Sequence, residues 1–380
     1  MINPKIWLSS PHMGGKEQEF VKEAFDTNWV APLGPNVDGL EQDLANFTGA
    51  KYAAALNSGT SAIHLALIML GVKAGDYVLC QSFTFSASAN PIVYQGAIPV
   101  FIDSEKDTWN MSPEFLEEAI LKLKTQNLKP KAIIPVHLYG LPAKMDEIMA
   151  IAKKYDIHVI EDAAEALGST LNGKACGTFG QLGVLSFNGN KIITTSGGGA
   201  LISDDEGYIK QSRFLATQAR DNAPHYQHSH IGYNYRMSNI TAGIGRGQMI
   251  VLNDRVAQRR YNFEFYKKAF AGYAGISFVE ELPGAFANRW LSCILVDPTL
   301  TNGVSREDIR LALEKENIEC RPLWKPMHLQ PIFADAPFFG DGTAEKLFED
   351  GLCLPSGSNL SEEDLERVVE AIKEVLASKK

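Results

Sequence analysis

Lys191 has surroundings that are unusual for a lysine. It lies in the segment SFNGNKIITTSGGG, where Ser186 precedes it by five positions and Gly197, Gly198 and Gly199 follow it. Most lysines are solvated surface charges, but small and apolar neighbours, with glycines that let the backbone pack against a ligand, favour an amine inside a site. Such a lysine can form a Schiff base with a carbonyl compound.

A second segment, LNSGTSAIHLAL, passes from an apolar strand into a helix through Asn57, Ser58, Gly59 and Thr60. The free N–H groups and the positive end of a helix attract anions, and Gly59 allows a close backbone approach. The segment therefore indicates a phosphate site. The alternative is a plain strand-to-helix turn with Thr60 or Ser61 as the helix cap.

The segment IEDAAEALGS ends another apolar run with Glu161 and Asp162. Many aspartates in this position simply cap a helix. A functional role becomes specific if Asp162 faces the pyridine nitrogen of pyridoxal phosphate (PLP), because a carboxylate keeps that nitrogen protonated and the ring able to accept electrons. A reactive lysine, an anion turn and a strand-end carboxylate together predict a PLP enzyme.

The elements that position these residues alternate short apolar runs with helical periodicity from about residue 50, which is typical of an α/β fold with a mostly parallel sheet. Helices such as SAIHLALIML from Ser61 and PAKMDEIMAIAKKY from Pro142 would cover the sheet. The seven predicted strands are YAAAL from Tyr52, DYVLC from Asp76, IPVFI from Ile98, AIIPVH from Ala132, IHVIE from Ile157, GVLSF from Gly183 and GALIS from Gly199.

The pattern changes after about residue 250, where a long helix is followed by a mixed stretch containing FANRWLSCILV and REDIRLALEKENI. We therefore predict a large domain with an amino-terminal arm over residues 1–250 and a smaller α+β domain over residues 251–380. Open α/β sheets bind ligands at the carboxyl ends of their strands, and the three motifs fall there.

Composition excludes several other classes of protein. The 380 residues carry a net charge of −9 without a Lys/Arg-rich run, so no nucleic-acid partner is expected. No apolar run reaches the roughly 18 residues of a membrane span, and the amino terminus lacks a signal-peptide pattern, which favours a cytoplasmic protein. The five cysteines are scattered without metal or redox spacing, and reduced thiols are expected: Cys80, Cys176, Cys293, Cys320 and Cys353.

Three histidines, His225, His228 and His230, lie within one short segment. No carboxylate or thiol pattern accompanies them, so we predict no metal site there. The sequence also lacks a G-x-G-x-x-G after an early strand and a P-loop, which leaves a nicotinamide oxidoreductase or a simple α/β binding module without a positive signal.

The chain resembles the DegT/DnrJ/EryC1/StrS family of sugar aminotransferases, which are fold-type-I PLP enzymes. The resemblance covers nearly the whole chain and rests on several motifs in order. They are VAPLGPNVDGLEQDLANFTGAKYAAALNSGTSAIHLAL, QSFTFSASANPIVYQGAIPVFID, HLYG, IEDAAEALGS, SFNGNKIITTSGGGA, GYNYRMSNITAGIGRGQ and RPLWKPMH.

The resemblance implies a role for individual residues. Lys191 would bind the cofactor covalently, and Asp162 would pair with its pyridinium nitrogen. Phe85, in SFTFSAS, would stack on the cofactor ring, although an ordinary core aromatic fits its spacing equally well. The cofactor phosphate would be held by Gly59, Thr60 and Ser186.

The resemblance also implies a homodimer with shared sites, because Asn234 in GYNYRMSN matches the position that reaches the cofactor phosphate of the neighbouring subunit. Trp324 would form a flat apolar wall of the substrate pocket. Basic candidates for anionic substrate groups are Arg236, Arg321, Lys325 and His328. Part of a nucleotide-sugar pocket would come from Asn28, Trp29, Val30 and Ala31.

Glu165 departs from the broad family, which often has Gln or His at this position. A carboxylate near the phenolic oxygen of the cofactor must carry a proton or be separated from it by another donor. Together with SFNGNKIITTSGGG and the PHMGG start, Glu165 most resembles the subgroup of UDP-N-acetylbacillosamine transaminases. These enzymes transfer an amino group, expected to come from L-glutamate, to C4 of UDP-2-acetamido-2,6-dideoxy-4-keto-hexose.

Alternatives remain within the same chemistry. The substrate could be another keto sugar nucleotide, linked to TDP or GDP, as in perosamine-type enzymes. More remote alternatives are other fold-type-I PLP enzymes, but dehydratase relatives have histidine in place of Lys191, and no cysteine here lies in a desulfurase-like motif.

Overall fold

The structure, a computed structural model, describes residues 3–378, in which the strands form three sheets. The strands are β1 (Tyr52–Leu56), β2 (Tyr77–Gln81), β3 (Ile98–Ile102), β4 (Ala132–Ile134), β5 (His158–Asp162), β6 (Thr170–Leu171), β7 (Lys174–Ala175), β8 (Leu182–Ser186), β9 (Gly199–Ser203), β10 (Ile276–Phe278), β11 (Ala285–Phe286), β12 (Ser292–Val296), β13 (Arg321–Pro322), β14 (Phe338–Phe339) and β15 (Gly351–Leu354).

The largest sheet has eight strands in the order β1-β9-β8-β5-β4-β2-β3-β14. Strand β9 runs antiparallel to β1 and β8, and the other pairs are parallel. All seven predicted strands are present, which confirms the α/β fold class, but the predicted count of seven is wrong by one. The eighth strand, β14, comes from the carboxyl-terminal part of the chain and pairs with β3 through only two residues.

Helices cover both faces of this sheet because its strands are apolar on both sides. In β1, for example, Ala54 and Leu56 pack towards the helix Gly59–Met69, and Ala53 and Ala55 pack towards the helix Pro35–Thr48, as the two-residue period of a strand requires. The helices are α1 (Glu17–Asp26), α2 (Pro35–Thr48), α3 (Gly59–Met69), α4 (Asn90–Tyr94), α5 (Pro113–Thr125), α6 (Met145–Tyr155), α7 (Glu206–Ala216), α8 (Asn239–Ile250), α9 (Leu252–Phe270), α10 (Arg306–Lys315), α11 (Thr343–Asp350) and α12 (Glu362–Ser378).

The carboxyl-terminal part forms a second core around an antiparallel sheet in the order β10-β12-β15-β13, packed against α9, α10 and α12. The amino-terminal arm belongs to this second core, since Ile6 is buried in it and bridges Ile318. A third small sheet, β11-β6-β7, joins the two parts. Two segments therefore pack across the predicted domain boundary at residue 250. The amino-terminal arm packs in the carboxyl-terminal core, and β14 pairs in the large sheet.

Candidate active site

A cavity of about 590 Å³ opens at the carboxyl ends of β1, β5 and β8, where the sequence placed the site. Residues from the arm, from the large sheet and from the carboxyl-terminal part all contribute to its wall. The lining residues are Leu8, Asn57, Ser58, Gly59, Thr60, Ile63, Phe85, Ala87, Asp162, Ala164, Glu165, Ser186, Asn188, Asn190, Lys191, Gly197, Gly198, Trp290, Leu291, Glu319, Arg321, Pro322, Trp324 and Cys353.

Lys191 projects into this cavity from the turn between β8 and β9. Its side chain is only 11% exposed, and its Nζ lies 3.5 Å from Oε1 of Glu165. On another side, the ring centroid of Trp290 lies 4.1 Å from the same nitrogen. The amine is thus enclosed by one carboxylate and one aromatic face, which restricts its position and shields it from water.

Asp162 ends β5 and is buried at the bottom of the cavity. Its Oδ2 accepts a hydrogen bond of 2.6 Å from the Ser88 hydroxyl, and its Oδ1 accepts one from the backbone N–H of Ala164 at 3.1 Å. Ser88 is itself bonded to the Thr84 hydroxyl at 2.7 Å. These bonds hold the carboxylate in one orientation, with its oxygens available to a cationic or N–H group in the cavity.

Glu165 is also buried, and burial raises its pKa to about 7. The nearby Lys191 ammonium acts to lower this pKa, and the carboxylate of Asp162 acts to raise it. The backbone N–H of Tyr139 donates a hydrogen bond of 2.7 Å to its Oε2. At neutral pH this carboxyl therefore exists in both protonation states, and in the protonated state it can donate a hydrogen bond. This agrees with one of the two solutions expected for a glutamate beside a phenolate oxygen.

The turn before α3 has the geometry of an anion site. Ser58, not Thr60 or Ser61, is the N-cap residue, since its hydroxyl accepts the N–H of Ser61 at 3.0 Å. The N–H groups of Gly59 and Thr60, the first two helical residues, have no acceptor within the helix. A Cβ added to Gly59 would lie 3.2 Å from the Cβ of Ser186, so this residue must be small for the turn and β8 to meet.

Aromatic rings form one wall of the cavity. Phe85 is 55% exposed and lies against Trp324 with 5.6 Å between ring centroids, so it is not the ordinary core aromatic that its spacing also allowed. Tyr139 lies behind them, 5.0 Å from Trp324 and 6.3 Å from Trp290 by ring centroids. Its hydroxyl accepts the N–H of Trp324 at 3.0 Å, which fixes the loop that carries this ring.

The basic residues predicted to bind substrate are not all brought to the cavity. Arg321 lines its mouth and is paired with Glu319 at 3.0 Å. Lys325 is exposed outside it. Arg236 does not line this cavity in its own chain, since its guanidinium binds the buried Glu41 at 2.8 Å in a separate depression.

His328 is likewise directed away from the cavity. Its Nδ1 lies 2.7 Å from the Ser82 hydroxyl, its Nε2 lies 3.2 Å from Glu345, and its ring stacks on Phe338 at 3.7 Å. Its side chain is packed between these partners and does not line the cavity of its own chain, so its contact with substrate stays a prediction.

Residues 28–31 and Asn234 also lie outside the cavity of their own chain. The loop over residues 28–31 is fixed by Asn239, which donates to the Trp29 carbonyl at 3.0 Å and to the Ala31 carbonyl at 2.8 Å. Asn234 is exposed, and its carbonyl accepts a hydrogen bond of 3.2 Å from the Asn57 side chain, beside the anion turn.

Sequence reasoning missed several residues of the site. Ser88 lies three positions after Phe85 in the motif SFTFSAS, so the motif itself could have pointed to it. Trp290 and Leu8 gave no local signal, since tertiary packing alone brings them to the cavity.

Two further observations apply to residues 3–378 as a whole. No group of three or more His, Cys, Asp or Glu side chains lies close enough to hold a metal ion, and His225, His228 and His230 contact different partners. None of the helices is long and apolar enough to cross a membrane.

The residues of the cavity fit PLP. Its aldehyde requires an amine, its ring nitrogen a carboxylate and its phosphate a set of N–H and hydroxyl donors. Lys191, Asp162 and the Gly59 turn with Ser186 offer these groups around one cavity. The close approach at Gly59 leaves the backbone N–H groups accessible to a phosphate, as a helix amino terminus requires.

Comparison with known proteins gives a consistent result. The sequence profile of the DegT/DnrJ/EryC1/StrS aminotransferase family matches residues 11–373. EpsN of Bacillus subtilis, an inferred pyridoxal phosphate-dependent aminotransferase, is 55% identical over 375 residues, which cover 98% of this chain and 96% of EpsN. The GDP-perosamine synthase of Caulobacter vibrioides is 36% identical over 376 residues, covering 98% of this chain and 99% of the synthase.

Solved structures agree with these relatives. Spr1654 of Streptococcus pneumoniae, an inferred sugar aminotransferase, has a PLP form that is 28% identical, covers the whole of both chains and superposes with a TM-score of 0.89. Its PMP form is 27% identical over 98% of this chain and 99% of that chain, also with a TM-score of 0.89.

Proposed function

Because this chain belongs to the DegT/DnrJ/EryC1/StrS aminotransferase family and is a PLP-dependent aminotransferase of nucleotide-linked keto sugars, we propose that it forms a 4-amino sugar. The amino group comes from L-glutamate, and the acceptor is C4 of UDP-2-acetamido-2,6-dideoxy-4-keto-hexose. The observation that carries the proposed chemistry is the enclosed Lys191 amine, which shares one cavity with Asp162, Glu165 and the Gly59 turn.

Lys191 is the base and acid of the proposed reaction. When bound, the cofactor supplies an aldehyde that takes up the amino group and a ring that withdraws electrons from the substrate carbon. The Nζ of Lys191 would move the proton from the α-carbon of glutamate to C4′ of the cofactor, and in the half-reaction with the sugar it would move a proton from C4′ to C4 of the sugar. Its enclosure by Glu165 and Trp290 limits the access of solvent to this amine.

The two buried carboxyl groups have different tasks. Asp162, oriented by Ser88 and Ala164, presents its carboxylate to the ring nitrogen and keeps that nitrogen protonated. Glu165, whose pKa burial raises to about 7, holds a proton that it can share with the phenolic oxygen. Asp162 is thus placed to bind the ring nitrogen, and Glu165 is placed to donate a proton to the phenolic oxygen.

The choice of a UDP-linked sugar rests on Glu165 and on the segments SFNGNKIITTSGGG and PHMGG, which resemble those of the bacillosamine subgroup. A second candidate, a GDP-linked keto sugar of the perosamine type, is favoured by the GDP-perosamine synthase relatives at 36% and 37% identity. In either case Arg321 at the cavity mouth is suited to meet an anionic group of the nucleotide.

The proposed enzyme is a homodimer in which each site is completed by the second subunit. Asn234 and the loop over residues 28–31 lie off the cavity of their own chain, and this loop exposes Trp29 and Val30. Exposed apolar side chains such as Trp29 and Val30 are typical of a protein–protein interface. Mixing inactive Lys191→Ala and Asn234→Ala chains should restore about a quarter of the sites, because mixed dimers contain one intact site.

The substrate is tested by two half-reactions. Purified holoenzyme is first incubated with L-glutamate, which should convert it to the PMP form with loss of the PLP absorbance. Keto sugar nucleotides linked to UDP, GDP and TDP are then added separately, and recovery of the absorbance is timed. Fast recovery with the UDP sugar supports the proposal, whereas fast recovery only with a GDP sugar supports the second candidate.

The matched control is Lys191→Ala, which should stall in both half-reactions. Full turnover by this variant would refute the central assignment of the proton-transfer residue. Failure of all three nucleotides with the wild-type enzyme would refute the proposed acceptor.

A further inference from the structure

The indole ring of Trp290 lies directly against the amine of Lys191. Its ring centroid is 4.1 Å from Nζ, and its side chain is 2% exposed. An aromatic face attracts a cation within about 6 Å, and the attraction is strongest for tryptophan and for desolvated pairs. The indole and the lysine nitrogen therefore have the geometry of a buried cation–π contact.

The ring of Trp290 is held in this place by bonds to the Lys191 turn itself. Its Nε1–H donates a hydrogen bond of 2.7 Å to the carbonyl of Asn190, the residue before Lys191. A single buried guanidinium, that of Arg259, binds the Trp290 carbonyl at 2.5 Å and the Lys191 carbonyl at 3.4 Å. The indole and the lysine are thus fixed to each other at side-chain and at backbone level.

The segment that carries Trp290 is also fixed to the Glu165 segment. Asn288 donates to the carbonyls of Glu165 and Leu167 at 2.8 and 2.9 Å, and its Oδ1 accepts the N–H of Trp290 at 2.9 Å. Between them, Arg289 is in the left-handed region with φ of 53°, a conformation that costs free energy in a non-glycine residue. The hydrogen bonds of Asn288 maintain this strained backbone, which places the Trp290 ring over the Lys191 amine.

We propose that Trp290 is a catalytic residue, whose indole face stabilises the protonated Nζ that forms when Lys191 takes the α-proton of the amino donor. In this step the C–H bond of the donor breaks, an N–H bond forms on Nζ, and the electron pair of the C–H bond stays with the substrate carbon. The inference rests on the proposed function, in which Lys191 is the base. Glu165, 3.5 Å away, contacts the same nitrogen.

The first test is the glutamate half-reaction followed in a single turnover. Trp290→Leu removes the aromatic face and should slow it about 5- to 30-fold, as expected for a desolvated cation–π contact. The affinity for glutamate should change little, and the isotope effect with α-deuterated glutamate should increase. Trp290→Phe keeps an aromatic face and should lose only about 3-fold, and it serves as the test variant if the leucine variant does not fold.

The matched control is Trp7→Leu. Trp7 is 55% exposed and also carries a lysine over its ring, Lys5 at 5.5 Å, but this pair is on the surface. Its removal should leave the rate and the isotope effect unchanged. Trp290 variants whose rate and isotope effect equal those of the wild type overturn the proposal.

The second test does not need the cofactor. In the apoprotein, the urea midpoint is measured for the wild type, Trp290→Leu, Lys191→Met and the double variant. If the indole binds the charged amine, the midpoint shift caused by Trp290→Leu, which removes the aromatic face, differs in the Lys191→Met background, where the contact is absent. Equal shifts in both backgrounds overturn the contact, whatever the substrate. Failure of wild-type holoenzyme to react with glutamate refutes the proposed function instead, so the two failures are distinguishable.

Discussion

Replacement of Glu165 by Gln should change how the stability of the apoprotein depends on pH. Burial raises the pKa of Glu165 to about 7 in the folded state from an ordinary value of 4.5. The folded protein therefore binds a proton that the unfolded chain releases between these two pH values. A raised carboxyl pKa contributes stability that is fully present below the unfolded value and is lost as pH rises through the folded value.

The size of the effect follows from the separation of the two pKa values. A difference of about 2.5 pH units corresponds to about 3 kcal/mol of unfolding free energy, at 1.36 kcal/mol for each pH unit. The wild-type apoprotein should therefore lose about 3 kcal/mol relative to Glu165→Gln between pH 4.5 and pH 8. Most of this loss should occur between pH 5 and pH 7.

Urea unfolding of both apoproteins at half-unit pH steps measures this difference directly. Glu206→Gln is the matched control, since Glu206 is exposed and pairs with Lys210 at 2.8 Å on the surface of α7. Its stability difference from the wild type should be nearly constant over the same range. If the curves of Glu165→Gln and the wild type run parallel between pH 5 and pH 8, the protonation assigned to this buried carboxyl is wrong.

Three further changes test other parts of the site. Ser88→Ala removes the 2.6 Å hydrogen bond to Asp162 and should lower kcat about 10- to 100-fold with little change in the KM for glutamate, as steady-state kinetics would show against Ser86→Ala. Gly59→Ala places a methyl group 3.2 Å from the Cβ of Ser186 and should weaken PLP binding about 10-fold, as measured by a fluorescence titration of the apoprotein. In the control Gly272→Ala the added methyl group meets no atom within 4 Å, and this variant should bind PLP like the wild type. Arg321→Ala should raise the KM for the sugar nucleotide about 3- to 10-fold at low salt and less at high salt, because salt screens the attraction between this exposed cation and an anionic substrate. An unchanged KM at both salt concentrations would exclude Arg321 from substrate binding.

The strands and site residues that could be predicted are those for which the local sequence itself carries the signal. The seven strands of the large sheet are short apolar runs, and their burial on both faces explains why they could be recognised without alternation. Lys191, Asp162 and Gly59 could be placed because each follows or precedes such a strand, so the topology brings them to one edge.

Features created by tertiary packing could not be predicted in the same way. Strand β14 has two residues, and only its pairing with β3 makes it a strand. Ile6 is apolar like many arm residues, and nothing local shows that it is buried in the core of the small part. His328 and Arg236 lie in motifs of the family, but nothing local shows that the His328 ring packs on Phe338 and Ser82 or that Arg236 pairs with Glu41.

The buried Arg259 shows how the site depends on parts of the chain that carry none of its motifs. Within residues 3–378 this guanidinium has no carboxylate partner, and burial lowers its pKa to about 9. A buried cation of this kind is costly unless its N–H groups are satisfied. Its two terminal nitrogens bind the Ser9 hydroxyl at 2.9 Å and the carbonyls of Trp290 and Lys191, whereas its Nε has no hydrogen-bond partner among the described residues. This one side chain of α9 connects the arm, the carboxyl-terminal part and the turn that carries Lys191. Since an apolar residue would avoid the cost of burying this charge, we attribute the presence of arginine to the position it gives to the lysine.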